Sequence, residues 1–244
     1  MHEELWVTAL LNRYFAAPAE ALVRLVGLPI EHGRPWTNYM AMELVVLLVM
    51  VLAAALLRSR LSVDKPGAFQ LTIEAVYEFL AQQSKDIIGH HSERHVAFFA
   101  TIFLFVLLSN LLGVVPTFES PTMYYYVPAG IAVCSFLYYN GQGVREHGVL
   151  KYMAHFAGPM WFLWWFMFPL EIISHCIRPV SLTIRLYANM YAGEQVTTGF
   201  MALTPLVVPV VFMGLHVFVA FLQAFIFTVL STAYVGGAVA HEEH

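Results

Sequence analysis

The sequence predicts an all-α polytopic membrane protein with five membrane-crossing helices: three ordinary spans and a long, strongly tilted antiparallel hairpin, with amphipathic helices on the membrane surface. Only 11% of the 244 residues are Asp, Glu, Lys or Arg, whereas a soluble domain carries about 25%. A bilayer core needs roughly 20 apolar residues in a helix. Four stretches without any of these charged residues approach or exceed that length: 95–118, 120–144, 152–170 and 195–241. The whole chain is therefore expected to form one integral membrane domain.

The first 30 residues are predicted to lie on the outer membrane surface as an amphipathic segment. Apolar side chains recur there at helical spacing, and charged residues fall between or beyond them. Glu3 and Glu4 stand where a secretory signal needs positive charge, so cleavage of this segment is not expected.

The first span is predicted over 36–57. Arg58, Arg60 and Lys65 follow it, and Lys or Arg close to the end of a span marks the cytoplasmic side. The amino terminus is therefore expected outside. The next segment, 68–89, mixes apolar and charged residues throughout, so we expect a helix on the cytoplasmic surface rather than a span.

The second span is predicted over 95–115 and the third over 124–139, joined by a short outer loop. Pro116 stops the second span, because proline interrupts a helix. Arg145 and Lys151 follow the third span and again indicate the cytoplasmic side.

Two unusually long helices are predicted over 161–202 and 206–239. A helix over 161–202 would be about 63 Å long at about 1.5 Å per residue, twice the hydrocarbon thickness of about 30 Å. Both helices must therefore be strongly tilted or kinked. Thr204 and Pro205 turn the chain between them, and the carboxyl terminus is expected in the cytoplasm.

The first long helix contains four ionisable residues at membrane depth: Glu171, Arg178, Arg185 and Glu194. Such residues are costly in a membrane, about +2.5 to 3.5 kcal/mol for Arg at the helix centre, and indicate function. Positions 171, 175, 178, 185 and 189 share one face of the helix. The sequence leaves open whether Glu171 and Arg178 line a pathway or form a structural cluster.

Counting outward from the turn near residue 204 predicts which side chains share a depth. Arg185 and Gln223 are equally far from the turn. Glu194 and His216 are also at nearly equal distances from it, and this second pair is expected closer to the outer surface. Glu194 lies half a turn of angle away from Arg185, so it is not expected to neutralise it. Arg185 therefore lacks an evident carboxylate in this chain, and a partner chain is expected to supply one.

The residues around Arg185 resemble the signature of a known family. Residues 181–194 read SLTIRLYANMYAGE, and this stretch is similar to the signature of subunit a of F-type ATP synthases. Further similarity covers NLLGVVP at 110–116, Glu171, RPVSL at 178–182, LQAFIF at 222–227 and EEH at 242–244. The family usually has Phe-Gly where this chain has Tyr187 and Ala188, and a Thr-bearing start of the third span where this chain has tyrosines.

The resemblance implies the stator subunit that conducts protons in a rotary ATP synthase of a bacterial inner membrane. It implies that Arg185 is the essential arginine, lying between two aqueous half-channels and facing a carboxylate of each passing c-ring subunit. It assigns Glu194, His216, Gln223 and Asn189 to the proton routes, with Glu171 and Asn110 as further candidates. The implied partners are the c-ring, the subunit b peripheral stalk and membrane lipid.

Two other functions are weighed against this one. A self-contained ion-coupled secondary transporter is the alternative, but such transporters often contain internal repeats, and none is seen. A purely structural scaffold does not explain polar side chains at matching depths on two helices. No Gly-rich phosphate loop occurs, and His91 and His95 lack a third ligand, so neither a cofactor nor a metal is predicted.

The net charge and the two cysteines indicate neither a nucleic-acid partner nor a disulfide bond. The net charge is −4, without a run of like charges, so no nucleic-acid partner is expected. Cys134 and Cys176 lie in apolar stretches and are predicted to be buried and unpaired.

Overall fold

A computed structural model describes residues 5–17, 19–20, 35–62, 65–89, 92–115, 118–149, 151–152, 164–203 and 207–239. In this part of the chain the regular structure is helical, as predicted. Seven α-helices are described, together with one 3-10 turn at Pro121–Met123. The helices are α1 (Trp6–Tyr14), α2 (Asn38–Arg60), α3 (Ala68–Ile88), α4 (Glu93–Leu112), α5 (Tyr126–His147), α6 (Trp164–Leu203) and α7 (Val207–Val239).

The membrane character of the chain lies in its apolar helices. Three described helices are long and apolar enough to cross a bilayer: Asn38–Arg60, Glu93–Leu112 and the part of α7 from Val210 to Val239. A polytopic membrane protein is therefore supported. α6 is 40 residues long but carries four ionisable residues along its length, which lowers its mean hydropathy.

Hydrogen bonds of two asparagine side chains, Asn12 and Asn38, hold α1 against the start of α2. Asn12 Oδ1 accepts from the backbone N–H of Trp36 at 3.0 Å, and Asn12 Nδ2 donates to the Trp36 carbonyl at 3.1 Å. The indole N–H of Trp36 donates to the carbonyl of Phe15 at 2.9 Å. The rest of the predicted surface segment, 1–4, 18 and 21–30, lies outside the described residues.

Glycine ends two of the helices. Gly89 follows α3 and Gly148 follows α5, both with φ of 77°, a region that favours glycine. The N–H of Gly89 bonds to the carbonyl of Lys85, and that of Gly148 to the carbonyl of Val144. These bonds satisfy carbonyls that the helix end would otherwise leave without partners.

α5 continues beyond the predicted third span. The span was expected over 124–139, whereas the helix reaches His147 and includes Gly141, Gly143 and Arg145. A helix does not end where the apolar residues end, because polar residues outside the bilayer continue the same backbone hydrogen bonds.

Gly143 leaves room for the ring of Tyr152, which a Cβ at 143 would overlap. Burial raises the pKa of Tyr152 to about 12.

The core lies where α4, α5, α6 and α7 meet. Side chains from these helices, together with Leu80 of α3 and Met123, form one buried apolar cluster. Within it, α6 contributes a stripe of Leu182, Leu186 and Met190, one turn apart. Ser135 of α5 donates to Ser231 of α7 at 2.9 Å, a buried bond between helices of the kind common in membrane bundles.

In the described contacts between α6 and α7, residue numbers decrease along α6 as they increase along α7. Phe200 stacks on Phe212 with ring centroids 4.6 Å apart, Gly193 lies against His216, and the Arg178 guanidinium lies 5.0 Å from the centre of the Tyr234 ring. The two helices therefore run in opposite directions where they pack.

The prediction that both cysteines are buried is wrong. Cys134 on α5 and Cys176 on α6 are exposed on the surface of the chain, and both are unpaired. In a membrane bundle an apolar side chain faces lipid as readily as the core, so an apolar neighbourhood in sequence does not determine burial.

Candidate functional site: polar residues along α6 and α7

Arg185 lies on the surface of α6, beside the stripe that packs into the core. Its neighbours Leu182 and Leu186 are buried, while Arg185 itself and Ile184 are exposed. Within the described part of the chain, its guanidinium makes no ion pair and no hydrogen bond. The arginine is therefore presented outward by this chain.

The surface of α6 next to Arg185 is apolar and well exposed. Six exposed residues recur there at helical spacing: Ile173, Ile177, Val180, Ile184, Ala188 and Tyr191. Arg185 lies at the edge of this face. The arrangement provides one positive charge beside a long apolar strip.

Towards the start of α6, the polar stripe predicted from sequence contains a close pair. Nδ1 of His175 lies 3.4 Å from Oε1 of Glu171, one helical turn away. The His175 ring lies 5.9 Å from that of Tyr139 on α5. Arg178 faces the ring of Tyr234 on α7, a cation–π contact. Glu171, His175 and Arg178 thus belong to one polar group between α5, α6 and α7.

Gln223 is on the core-facing side of α7, 9% exposed. Two observed α6–α7 contacts are centred two residues beyond the predicted turn near 204, and the contact of Gly193 with His216 is centred less than one residue beyond it. Arg185 therefore lies opposite roughly 224–227, within about one turn of Gln223. No hydrogen bond joins Gln223 to Arg185 among the described residues. Gln223 is therefore offset from Arg185 by up to about one turn, and the two side chains are not bonded in the described part of the chain.

Towards the carboxyl end of α6, a cavity of about 230 Å³ lies between α6 and α7. His216 lines it from α7, and Asn189, Gly193 and Thr197 line it from α6. His216 is 7% exposed, and its Nε2 has no hydrogen-bond partner in the described part of the chain. Glu194, next to Gly193, is half-buried. Asn189 and His216 are therefore brought to one cavity, with Glu194 beside it.

Asn110 is fully buried at the end of α4. Its Nδ2 donates to the carbonyl of Ala220 on α7 at 3.4 Å, and its Oδ1 accepts from the Thr122 hydroxyl at 2.6 Å. Thr122 was not among the predicted site residues. The available signal was a Ser-Pro-Thr run between two spans, where polar residues so close to membrane depth need partners.

The comparison with known proteins assigns the family. Residues 39–236 match the family described as ATP synthase A chain. The chain belongs to that family. ATP synthase subunit a of Solibacter usitatus (strain Ellin6076) is 55% identical over 96% of this chain and 100% of its own length. Proteins of the same name from Koribacter versatilis (strain Ellin345) and Sulfurimonas denitrificans (strain ATCC 33889 / DSM 1251) are 45% and 40% identical, over 99% and 88% of this chain. These alignments cover 99% and 96% of the two relatives.

Membership of the ATP synthase A chain family confirms the resemblance found in the sequence. A subunit a belongs to the membrane sector of an ATP synthase and is not catalytic by itself, as predicted. All seven predicted site residues fall within the matched stretch: Asn110, Glu171, Arg185, Asn189, Glu194, His216 and Gln223.

Proposed function

We propose that this chain is the proton-conducting stator subunit of a rotary ATP synthase in a bacterial inner membrane. Five helices cross the bilayer, α6 and α7 as a tilted antiparallel hairpin, with the amino terminus outside and the carboxyl terminus in the cytoplasm. Two aqueous half-channels meet the c-ring on either side of Arg185. Subunit b of the peripheral stalk holds the chain still while the ring turns.

The observation that carries this proposal is the outward position of Arg185. A positive charge at membrane depth, beside an apolar strip and without a carboxylate partner among the described residues, is costly if it faces lipid. A carboxylate supplied by a neighbouring chain at the same depth removes that cost. The apolar strip around Ile184 and Ala188 is suited to contact an apolar helix of that chain.

Arg185 then controls the protonation of the rotor. A carboxylate within about 4 to 6 Å of a guanidinium is stabilised in its charged form, so it gives up its proton as it arrives. It is reprotonated only after it has moved away, from the opposite half-channel. The fixed positive charge also repels a proton that would pass straight from one half-channel to the other.

The outer half-channel is assigned to the cavity between α6 and α7. The lining of this cavity is mostly apolar, and its polar side chains are Asn189, Thr197 and His216. Glu194 is adjacent in sequence to Gly193, which lines the cavity. Imidazole and carboxylate groups exchange protons with water, and their placement between the turn of the hairpin and Arg185 fits an entry route.

The inner half-channel is assigned to the polar group near the start of α6. Glu171 and His175 lie 3.4 Å apart there, on the opposite side of Arg185 from the cavity. Each proton that completes the passage between the two sides releases about 2.3 kcal/mol per 100 mV of membrane potential. A stator of this kind delivers that energy to the ring as rotation.

Purification of the tagged chain tests this proposal. A c-ring and nucleotide-hydrolysing subunits should co-purify with it in mild detergent, and the chain alone in proteoliposomes should not accumulate any ion. A self-contained transporter would behave in the opposite way: it would purify alone and drive uptake without the other subunits, and that result would overturn the proposal.

A further inference from the structure

Four buried polar residues meet where α4 ends and the 3-10 turn begins. Ser109 and Asn110 come from the last turn of α4, and Ser120 and Thr122 from the turn that follows; each is at most 2% exposed. The Ser120 hydroxyl donates to the Ser109 carbonyl at 2.9 Å, and its Oγ also lies 2.7 Å from Thr122 Oγ1. Thr122 Oγ1 lies 2.6 Å from Asn110 Oδ1.

The chemistry of these groups fixes the direction of the hydrogen bonds. The carbonyl of Ala220 only accepts, so the Asn110 atom that faces it is Nδ2. Oδ1 of Asn110 must then face Thr122, which has to donate. A hydroxyl has a single hydrogen, and that of Ser120 faces two acceptors, the Ser109 carbonyl and the Thr122 hydroxyl oxygen. The fixed part of the network is therefore the bond from Thr122 to Asn110, with Ser120 in contact behind Thr122.

A glycine makes this close packing possible. A Cβ atom built at Gly113 would stand 2.8 Å from the Cβ of Ser120 and 3.4 Å from its backbone nitrogen. Neither atom belongs to a flexible side-chain end, so a larger residue at 113 would push Ser120 away. Gly113 therefore permits the approach of Ser120 to the end of α4.

The Asn110 amide contacts α7 between two of the predicted site residues, His216 and Gln223. Ala220, whose carbonyl it contacts, stands one turn from His216 and one turn from Gln223. The amide therefore lies between the proposed outer cavity and the depth of Arg185. Without Thr122, Asn110 would be held by a single long contact of 3.4 Å, which is weak for an N–H···O bond.

We propose that Thr122, with Ser120 behind it, is a positioning residue that holds the N–H groups of Asn110 towards α7. An N–H donor that is held in one direction orders the water molecules beside it. The hydrogen bonds between these waters then point the same way along the proton route towards Arg185. This inference rests on the proposed function, because it assigns Asn110 to the outer proton route. Thr122 itself carries no proton.

The test compares four variants of the complete ATP synthase in inverted membrane vesicles. ATP-driven proton pumping is measured and divided by the amount of assembled complex. Thr122→Val keeps the shape and removes the hydroxyl, and pumping should fall roughly fivefold to tenfold, the effect of one lost hydrogen bond to a buried amide. Thr122→Ser should restore at least half of the native rate, because it returns the donor.

Thr228→Val is the matched control. Thr228 is also buried, but its hydroxyl donates to a carbonyl of its own helix, at 2.8 Å from Ala224 O. Its loss should leave pumping near the native rate. Thr122→Ala also removes the Thr122 hydroxyl but leaves a smaller side chain. It should lower pumping to a similar extent, and it covers the case in which Thr122→Val does not assemble.

Any one of three results would overturn the positioning role: near-native pumping by Thr122→Val, an equal loss of pumping in Thr228→Val, or no rescue of pumping by Thr122→Ser. If Thr122→Val does not assemble, near-native pumping by Thr122→Ala overturns it instead. Arg185→Ala, measured in parallel, separates this inference from the proposed function. If Arg185→Ala stops pumping while Thr122→Val does not, only the role of Thr122 is wrong. If Arg185→Ala still pumps, the proposed function itself fails.

Discussion

Gly193 of α6 and His216 of α7 are in contact because the first has no side chain. A Cβ atom built at position 193 would stand 3.1 Å from Nδ1 of His216 and 3.3 Å from its Cε1, which is closer than ordinary packing. The imidazole is thereby seated at the wall of the 230 Å³ cavity. Position 193 consequently controls where this ring lies.

Gly193→Ala should displace the His216 ring and lower ATP-driven pumping roughly fivefold, the order expected from about 1 kcal/mol of overpacking. Gly199→Ala is the matched control on the same helix, since a Cβ at 199 meets nothing within 4 Å, and it should pump normally. Equal rates in the two variants would show that the contact has no part in proton transfer.

Much of the helical organisation could be predicted, because long apolar runs and their flanking charges are encoded locally. α2 begins at Asn38 and ends at Arg60, close to the span expected over 36–57. The polar stripe of α6 was predictable from spacing alone, because the helix is continuous from Trp164 to Leu203. The family signature around Arg185 identified the protein class.

The relations between helices could not be predicted in the same way. The predicted depth of Gln223 relative to Arg185 depended on the turn being near residue 204, and the observed contacts shift that centre by up to two residues. Thr122 and Ser120 were missed because their role depends on a contact across the bundle, with Asn110 and through it Ala220. The spacing of residues along the chain does not predict contacts between different helices.

Cysteine labelling tests the assignment of the outer route. In a background carrying Cys134→Ser and Cys176→Ser, which removes the two exposed native thiols, cysteine is placed at position 194 or 216. A membrane-impermeant thiol reagent added outside should label both positions. Labelling at 194 should be faster, because Glu194 is half-buried and His216 is buried. Labelling of both only from the cytoplasm would invert the proposed topology.

Changing Gln223 should affect transport through charge rather than through loss of one hydrogen bond. Gln223→Glu places a carboxylate within about a turn of the depth of Arg185, where it competes with the rotor carboxylate for the guanidinium. Gln223→Leu leaves that charge available. Proton-driven ATP synthesis should therefore be lower in Gln223→Glu than in Gln223→Leu, at equal amounts of assembled complex. The reverse order would exclude such competition.

Arg185→Lys should also impair synthesis strongly, although the charge is kept. Lysine has a compact ammonium on a flexible stem and loses its proton more readily when desolvated, whereas guanidinium stays charged and broad. We expect less than about a tenth of the native rate, corresponding to roughly 1.4 kcal/mol of lost stabilisation. A native rate in this variant would mean that charge alone is sufficient.

ATP synthesis in inverted vesicles that carry Arg185→Ala is the most direct test of the role of Arg185. The substituted residue is exposed on α6 and makes no described ion pair, so the complex should assemble in normal amounts, which immunoblotting of its subunits checks. Respiration-driven synthesis should nevertheless be abolished, because nothing then deprotonates the rotor carboxylate as it arrives. Synthesis near the native rate in the assembled variant would contradict the account.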